Sequence, residues 1–350
     1  MQNPGTHARR LDPANTAGLA AWLAGEVGAS RLEISKATHL SGGAVQDNWR
    51  LDVEVADGPR QGRQVWVLRT DAAARLSLSL DRAAEYDVIG AAHARGVKAA
   101  EPIARYAESD LIGAPFFVQG WIAGMAQARR IVRDPALAGY GERLAGELAG
   151  ELALIHAITP DVAALPHLPK PSGSPASHAV ARLRAALDGA GEPRPALEYI
   201  LAWLDQHAPA SPGLVLVHGD FRTGNYMVDD GHLAGILDWE FAHWGDRHED
   251  IGWISARCWR FGNDTRELGG IAGLDGFLGA YAARTGVRIE PRAVVYWQIM
   301  AAAKWATIAV LQGDRYRRGG EERLELALTG LMAPEMEYDA LRQIIAPRGS

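Results

Sequence analysis

The stretch His218-Gly219-Asp220-Phe221-Arg222-Thr223-Gly224-Asn225, followed by Ile236-Leu237-Asp238-Trp239-Glu240, holds the densest grouping of chemically capable side chains in the 350-residue chain. The apolar run Leu214 to Val217 ahead of it reads as a short strand, and Tyr226 to Val228 and Leu233 to Leu237 straddle the turn Asp229-Asp230-Gly231 as a hairpin. Asp220 and Asn225 then lie in a loop directly after one strand, and Asp238 at the end of another. With the hairpin folded back, the three side chains converge. One carboxylate would orient or deprotonate a hydroxyl, while a second carboxylate and an amide oxygen suit magnesium, a hard cation that takes oxygen ligands in an octahedron. Taken singly, each Asp also suits turn capping, and His218 suits fixing the loop through a backbone hydrogen bond.

On the N-terminal side, Leu11 to Val27 has loose helical spacing opened by Asp12-Pro13. Ser41-Gly42-Gly43-Ala44-Val45-Gln46-Asp47-Asn48 reads as a turn, and Trp49 to Val55 alternates with a period of two. Asp57-Gly58 turns the chain and Gln64 to Arg69 returns, so an antiparallel sheet begins here. Leu80 to His93 reads as a helix containing Glu85, a loop runs through Pro102, and Pro115 to Trp121 reads as a further strand. Residues 1–120 thus form a lobe of sheet plus helix. Residues 121–350 read as mainly helical, with Leu144, Leu148, Leu152 and Ile155 marking one buried helix face, and Pro166 to Ser177 and Gly189 to Pro195 as surface connections. The expected class is α+β with two lobes.

Composition narrows the functions. Apolar residues make up 48% and charged residues 22%, which suits a folded core and not a disordered chain. The 36 Lys plus Arg against 42 Asp plus Glu give a net charge of -6, with no overall attraction to nucleic acid or an anionic membrane. A single cysteine, Cys258, forbids an internal disulfide and points to a reducing, cytoplasmic setting; it reads as core filler. The N-terminus lacks an apolar secretory run, and the apolar stretch Val294 to Leu311 is interrupted by Gln298 and Lys304, so no membrane partner is expected. The 11 Trp residues are scattered and are assigned to packing.

His218-Gly219-Asp220 with Asn225, and then Ile236-Leu237-Asp238-Trp239-Glu240, resemble the two signature segments of the aminoglycoside phosphotransferase-like family, a branch of the protein-kinase-like fold. The resemblance implies Asp220 as catalytic base or hydroxyl-orienting residue, and Asn225 and Asp238 as magnesium ligands. Ser41-Gly42-Gly43 resembles the nucleotide-covering loop, placing Gly42 and Gly43 near the phosphates. Arg69 falls where the kinase has its phosphate-binding lysine, with Glu85 as a bidentate helix partner. This arginine is similar to that of a subgroup resembling the kinase-like domain fused to certain acyl-CoA dehydrogenases. Val118 to Gly124 resembles the hinge beside the adenine, so Gln119 and Trp121 border the base. His156 resembles the end of the long helix before the catalytic segment.

The implied cofactors are ATP and magnesium, and the implied partner is a small-molecule hydroxyl acceptor, either aminoglycoside-like or a hydroxy acid or hydroxyacyl compound. Two other readings use the same residues. A metal-dependent phosphoester hydrolase would use Asp220, Asp238, His218 and His243. A non-catalytic nucleotide-binding protein would retain the fold alone.

Overall fold

A computed structural model describes residues 11, 13–40, 46–71, 79–318 and 323–346. Helix α1 (Pro13–Glu26) leads into β1 (Leu32–Leu40), β2 (Gln46–Val55) and β3 (Gly62–Asp71); α2 (Arg82–Ala94), β4 (Pro102–Tyr106) and β5 (Phe116–Gly120) follow. The five strands form one sheet in the order β1-β2-β3-β5-β4 with every pairing antiparallel. Period-two alternation sets its faces. Trp49, Leu51, Val53 and Val55 of β2 join Trp66, Leu68, Phe116 and Val118 in a buried core closed by Leu19 and Leu23 of α1. The other face carries Val67 opposite Gln119, and Arg69 opposite both Asn48 and Phe117. Helix α2 lies against that face, with Tyr86 and Phe117 ring centroids 5.7 Å apart.

Strands β1 and β4 lie outside the strand set read from the sequence. In β1 only Leu32 is buried, so the strand lacks the apolar alternation that identifies β2. β4 opens on Pro102, a residue that signals a loop but is tolerated at the first position of an edge strand.

Beyond β5 come α3 (Ala128–Arg133), α4 (Pro135–Ala138), α5 (Gly141–His156), α6 (Pro175–Asp188), α7 (Pro195–Gln206), β6 (Val215–Val217), β7 (Tyr226–Asp229), β8 (His232–Ile236), β9 (His243–Gly245) and α8 (His248–Ser255). Helices α9 (Leu274–Thr285), α10 (Pro291–Arg318), α11 (Leu324–Gly330) and α12 (Ala333–Ile345) complete the chain. The end of the Pro166 to Ser177 stretch proves to be the start of α6. Ser174 caps it by accepting from Ser177 N at 3.0 Å, and Pro175 occupies the first turn, where its missing N–H costs nothing.

The main helical core gathers around α10. Tyr296, Trp297, Met300, Ala303 and Ala306 pack with Val180 and Leu183 of α6, Leu197, Ile200 and Leu204 of α7, and Met336 and Ala340 of α12. By length and composition α10 is the one described helix able to cross a membrane, yet 78% of its most apolar window is buried inside the protein.

The chain separates into two compact units, Met1–Ala123 with Ala234–Ala242, and Gly124–Leu233 with His243–Ser350. The segment bearing Asp238 thus belongs with the sheet, and the segment bearing Asp220 and Asn225 with the helices.

Candidate active site

In the first unit Arg69 projects from β3 and is 7% exposed, while Glu85 on α2 is 0% exposed. Arg69 Nη2 lies 3.0 Å from Glu85 Oε1 and 3.2 Å from Asp238 Oδ1. Glu85 Oε2 also meets Nη1 of Arg82, a buried residue one turn earlier on α2. Burial opposes the charge of Arg69, but Glu85, Asp238 and Glu240 outweigh it and raise its pKa, so the guanidinium stays charged.

Asp238 sits at φ 67, in the left-handed region that non-glycine residues rarely adopt. Its segment is anchored on both sides: Ile236 N donates to Lys98 O at 2.8 Å and Leu80 N to Glu240 O at 2.7 Å. The expected base-binding residues are placed differently from one another. Gln119 pairs with Val67 across the sheet and is 6% exposed, with its side-chain Oε1 buried and unpaired. The Trp121 ring carries the Arg50 guanidinium 5.1 Å from its centroid. Gly42 and Gly43 lie outside the described residues.

In the second unit β6 delivers the segment 218–225. Asp250 on α8 holds its backbone, accepting from His218 N at 2.8 Å and Gly219 N at 2.9 Å. Gly219 has φ 79, a conformation that lets both successive amides turn toward one carboxylate. Asp250 also meets His156 Nε2 at 3.2 Å, and His156 Nδ1 meets the Tyr281 hydroxyl at 2.8 Å. Burial lowers the His156 pKa against the pull of Asp250, so this ring is a neutral structural link.

Asp220 is gripped at both oxygens. Oδ1 accepts from Trp253 Nε1 at 2.6 Å and Arg222 Nε at 3.0 Å, and Oδ2 accepts from Asn225 Nδ2 at 2.5 Å. Asn225 Nδ2 also donates to the Asp220 carbonyl at 3.0 Å, which turns its amide oxygen the other way, as a metal ligand requires. His218 Nδ1 accepts from Asp220 N at 3.2 Å.

The surroundings of Asp220 were not legible in the motif. Lys304 of α10 donates to Gly219 O at 2.8 Å, lies 3.4 Å from Glu249 Oε1, and sits 4.6 Å from the Trp253 ring centroid. Arg222 stacks at 4.4 Å on Trp259, which packs against Trp253 at 5.3 Å and Trp305 at 5.1 Å. The indole Nε1 atoms of Trp259 and Trp305 are buried without a hydrogen-bond partner. Burial would raise the Glu249 carboxyl, but His243 and Lys304 outweigh it and hold it at about 2.

Among the described residues no cluster of three His, Cys, Asp or Glu forms a metal site. His243 instead pairs with Glu249 at 3.0 Å and His248 with Asp246 at 2.6 Å. Of the two histidines in the hydrolase reading, His243 is the one paired with Glu249, and His218 Nδ1 accepts from Asp220 N. Burial pushes the Cys258 thiol up, which leaves it unsuited to nucleophilic work.

The sequence matches the Phosphotransferase enzyme family over residues 36–288, more than half of the chain. The chain belongs to that family.

The chain shares its fold with solved structures of low identity. A candidate aminoglycoside phosphotransferase from Ralstonia eutropha superposes with a TM-score of 0.71 at 21% identity, over 95% of this chain and 97% of that one. Macrolide 2'-phosphotransferase MphH from Brachybacterium faecium gives 0.56 at 21% identity, over 95% and 99%. A thermostable mutant of aminoglycoside phosphotransferase APH(4)-Ia, in a ternary complex with AMP-PNP and hygromycin B, gives 0.58 at 14% identity, over 95% and 100%. Mouse acyl-CoA dehydrogenase family member 10 is 26% identical over 150 residues, spanning 41% of this chain and 14% of that protein.

Proposed function

We propose that this phosphotransferase moves the γ-phosphoryl group of ATP to an alcohol that also carries an anionic or strongly accepting group, such as a hydroxy acid or hydroxyacyl compound. The observation that carries this is the chemistry around Asp220. Arg222 touches Oδ1, Lys304 reaches the neighbouring Gly219 carbonyl, and two buried indole N–H groups in the adjoining aromatic cluster have no acceptor. Glu249 pairs with Lys304 and with His243. These groups offer donors and positive charge, which complement an anion and repel a polycation. The resemblance to a domain fused to certain acyl-CoA dehydrogenases, with the match to acyl-CoA dehydrogenase family member 10, supports the hydroxyacyl side.

Each residue then has a role. Asp220 orients the acceptor hydroxyl and receives its proton as the oxygen attacks phosphorus. Arg69 holds the inner phosphates from the first unit, at a cation whose charge is assured by its carboxylate neighbours. Asp238 in the first unit offers a carboxylate oxygen and Asn225 in the second an amide oxygen, each the kind of donor that magnesium takes, and magnesium would supply charge neutralisation to the transferring phosphates. Gln119 and Trp121 border the base.

The test is an acceptor screen read by ADP release and product mass. Hydroxy acids and hydroxyacyl thioesters are expected to turn over, and Arg222→Met to raise the acceptor KM more than the ATP KM. Efficient phosphorylation of aminoglycosides with none of hydroxy acids would transfer the assignment to cationic acceptors.

A further inference from the structure

The backbone of residues 218–220 is held by side chains from α8, from α10 and from its own histidine. Asp250 accepts from the His218 and Gly219 amides, His218 Nδ1 accepts from the Asp220 amide at 3.2 Å, and Lys304 Nζ donates to the Gly219 carbonyl at 2.8 Å. The last two contacts grip opposite edges of one peptide group, the one that joins Gly219 to Asp220. Gly219 stands at φ 79, where glycine is conformationally permissive, so this peptide plane takes its orientation from its hydrogen bonds. Rotating it would carry the Asp220 side chain along.

Lys304 reaches Asp220 by a second route. Its ammonium lies 4.6 Å from the centroid of the Trp253 ring, and the indole Nε1 of that ring donates to Asp220 Oδ1 at 2.6 Å. A cation over the face of an indole draws on its π density and makes the N–H a stronger donor, and interactions in such a series reinforce one another. Glu249, buried with its Oε1 3.4 Å from Lys304 Nζ, balances the charge of the ammonium, which is therefore not a lone buried cation.

We propose that Lys304 is a positioning residue for phosphoryl transfer, fixing the Asp220 carboxylate through the Gly219 carbonyl on one side and the Trp253 indole on the other. The inference rests on the reading of Asp220 as the residue that receives the acceptor proton. Lys304 acts through these two neighbours.

The experiment is a double-mutant cycle in the full chain, with kcat and both KM values measured for Lys304→Met, Asp220→Asn and the double variant, on the hydroxyl compound with the highest turnover in the acceptor screen. Lys304→Met is expected to lower kcat at least about tenfold, the scale of a misoriented reacting group, with both KM values within about threefold. In the Asp220→Asn background, where no base is left to orient, the same substitution should cost no more than about twofold. The Trp253 indole N–H resonance, assigned as the one missing from Trp253→Phe, should shift in Lys304→Met. An unmoved resonance would overturn the proposal, as would an equal loss of kcat in both backgrounds or a loss carried by the acceptor KM. Asp220→Asn separates the two levels: near-wild-type turnover there would remove the reading of Asp220, whereas a large loss with an additive Lys304 effect removes only the present proposal. If Lys304→Met does not fold, Lys304→Met combined with Glu249→Gln, which leaves no buried carboxylate unbalanced, carries the same comparison against Glu249→Gln alone.

Discussion

Asp220 meets three donors on two oxygens, so its carboxylate is held in orientation from both ends by Trp253, Arg222 and Asn225. Replacing it with asparagine keeps the shape and breaks the pattern, because one end of the amide is itself a donor and must face donors. Asp220→Asn is expected to lower kcat by at least about 100-fold, the range of a lost general base, with the ATP KM within about threefold. Single-turnover kinetics with an accepted alcohol would check it, and near-wild-type turnover would reassign the proton transfer. Glu249 yields a second prediction. Its folded pKa of about 2 lies below the ordinary glutamate value of 4.5, so the group contributes stability at pH above about 4.5 and loses it as pH falls through the folded pKa. The difference corresponds to roughly 3 kcal/mol. Urea unfolding followed from pH 5 to pH 2.5 should show this decline in the wild type and a flatter profile in Glu249→Gln; identical profiles would contradict it.

Helix contacts give a further prediction. A Cβ added at Gly252 of α8 would lie 2.5 Å from backbone and side-chain atoms of Trp297 on α10, so the two helices approach as closely as a missing side chain allows. Gly252→Ala is expected to destabilise the protein by about 1–3 kcal/mol through overpacking. A denaturant titration would register it as a lower midpoint at unchanged slope. A neutral result would mean that α8 can shift without loss. The same elements show what could be read from the sequence. Strand β2 was legible because one face is buried, which writes strict alternation into Trp49 to Val55, and β3 because the run Val65 to Leu68 is apolar throughout, as befits a strand buried on both faces. β1 and β4 were not, since one buries a single residue and the other opens on proline. Asp220, Asn225 and Asp238 stood out as closely spaced residues of mutually consistent chemistry. Trp253 and Lys304 did not, because they reach Asp220 and Gly219 only through folding.

At the scale of the whole chain, the polypeptide enters its first unit twice, and the second visit is the short segment Ala234–Ala242. That segment supplies Asp238 and also buries Ile236, Trp239 and Ala242, which are 1%, 2% and 1% exposed. It contributes backbone bonds from Ile236 to Lys98 and from Leu80 to Glu240. Burial of an isoleucine is worth about 1.5–3 kcal/mol and that of a tryptophan at least as much. The sheet unit is therefore incomplete as residues 1–123, although that stretch contains all five of its strands. A chain of residues 1–123 joined by a flexible linker to 234–242 should melt about 10 °C or more above residues 1–123 alone, taking several kcal/mol at roughly 4–8 °C each. Thermal unfolding by circular dichroism would measure the difference, with Trp239 fluorescence reporting whether the added segment docks. Equal midpoints, or a Trp239 that stays solvent-exposed, would mean that the sheet stands without the Asp238 segment. A raised midpoint that Asp238→Ala leaves in place would locate the gain in Ile236 and Trp239, and would separate what holds the segment in the fold from what it does for catalysis.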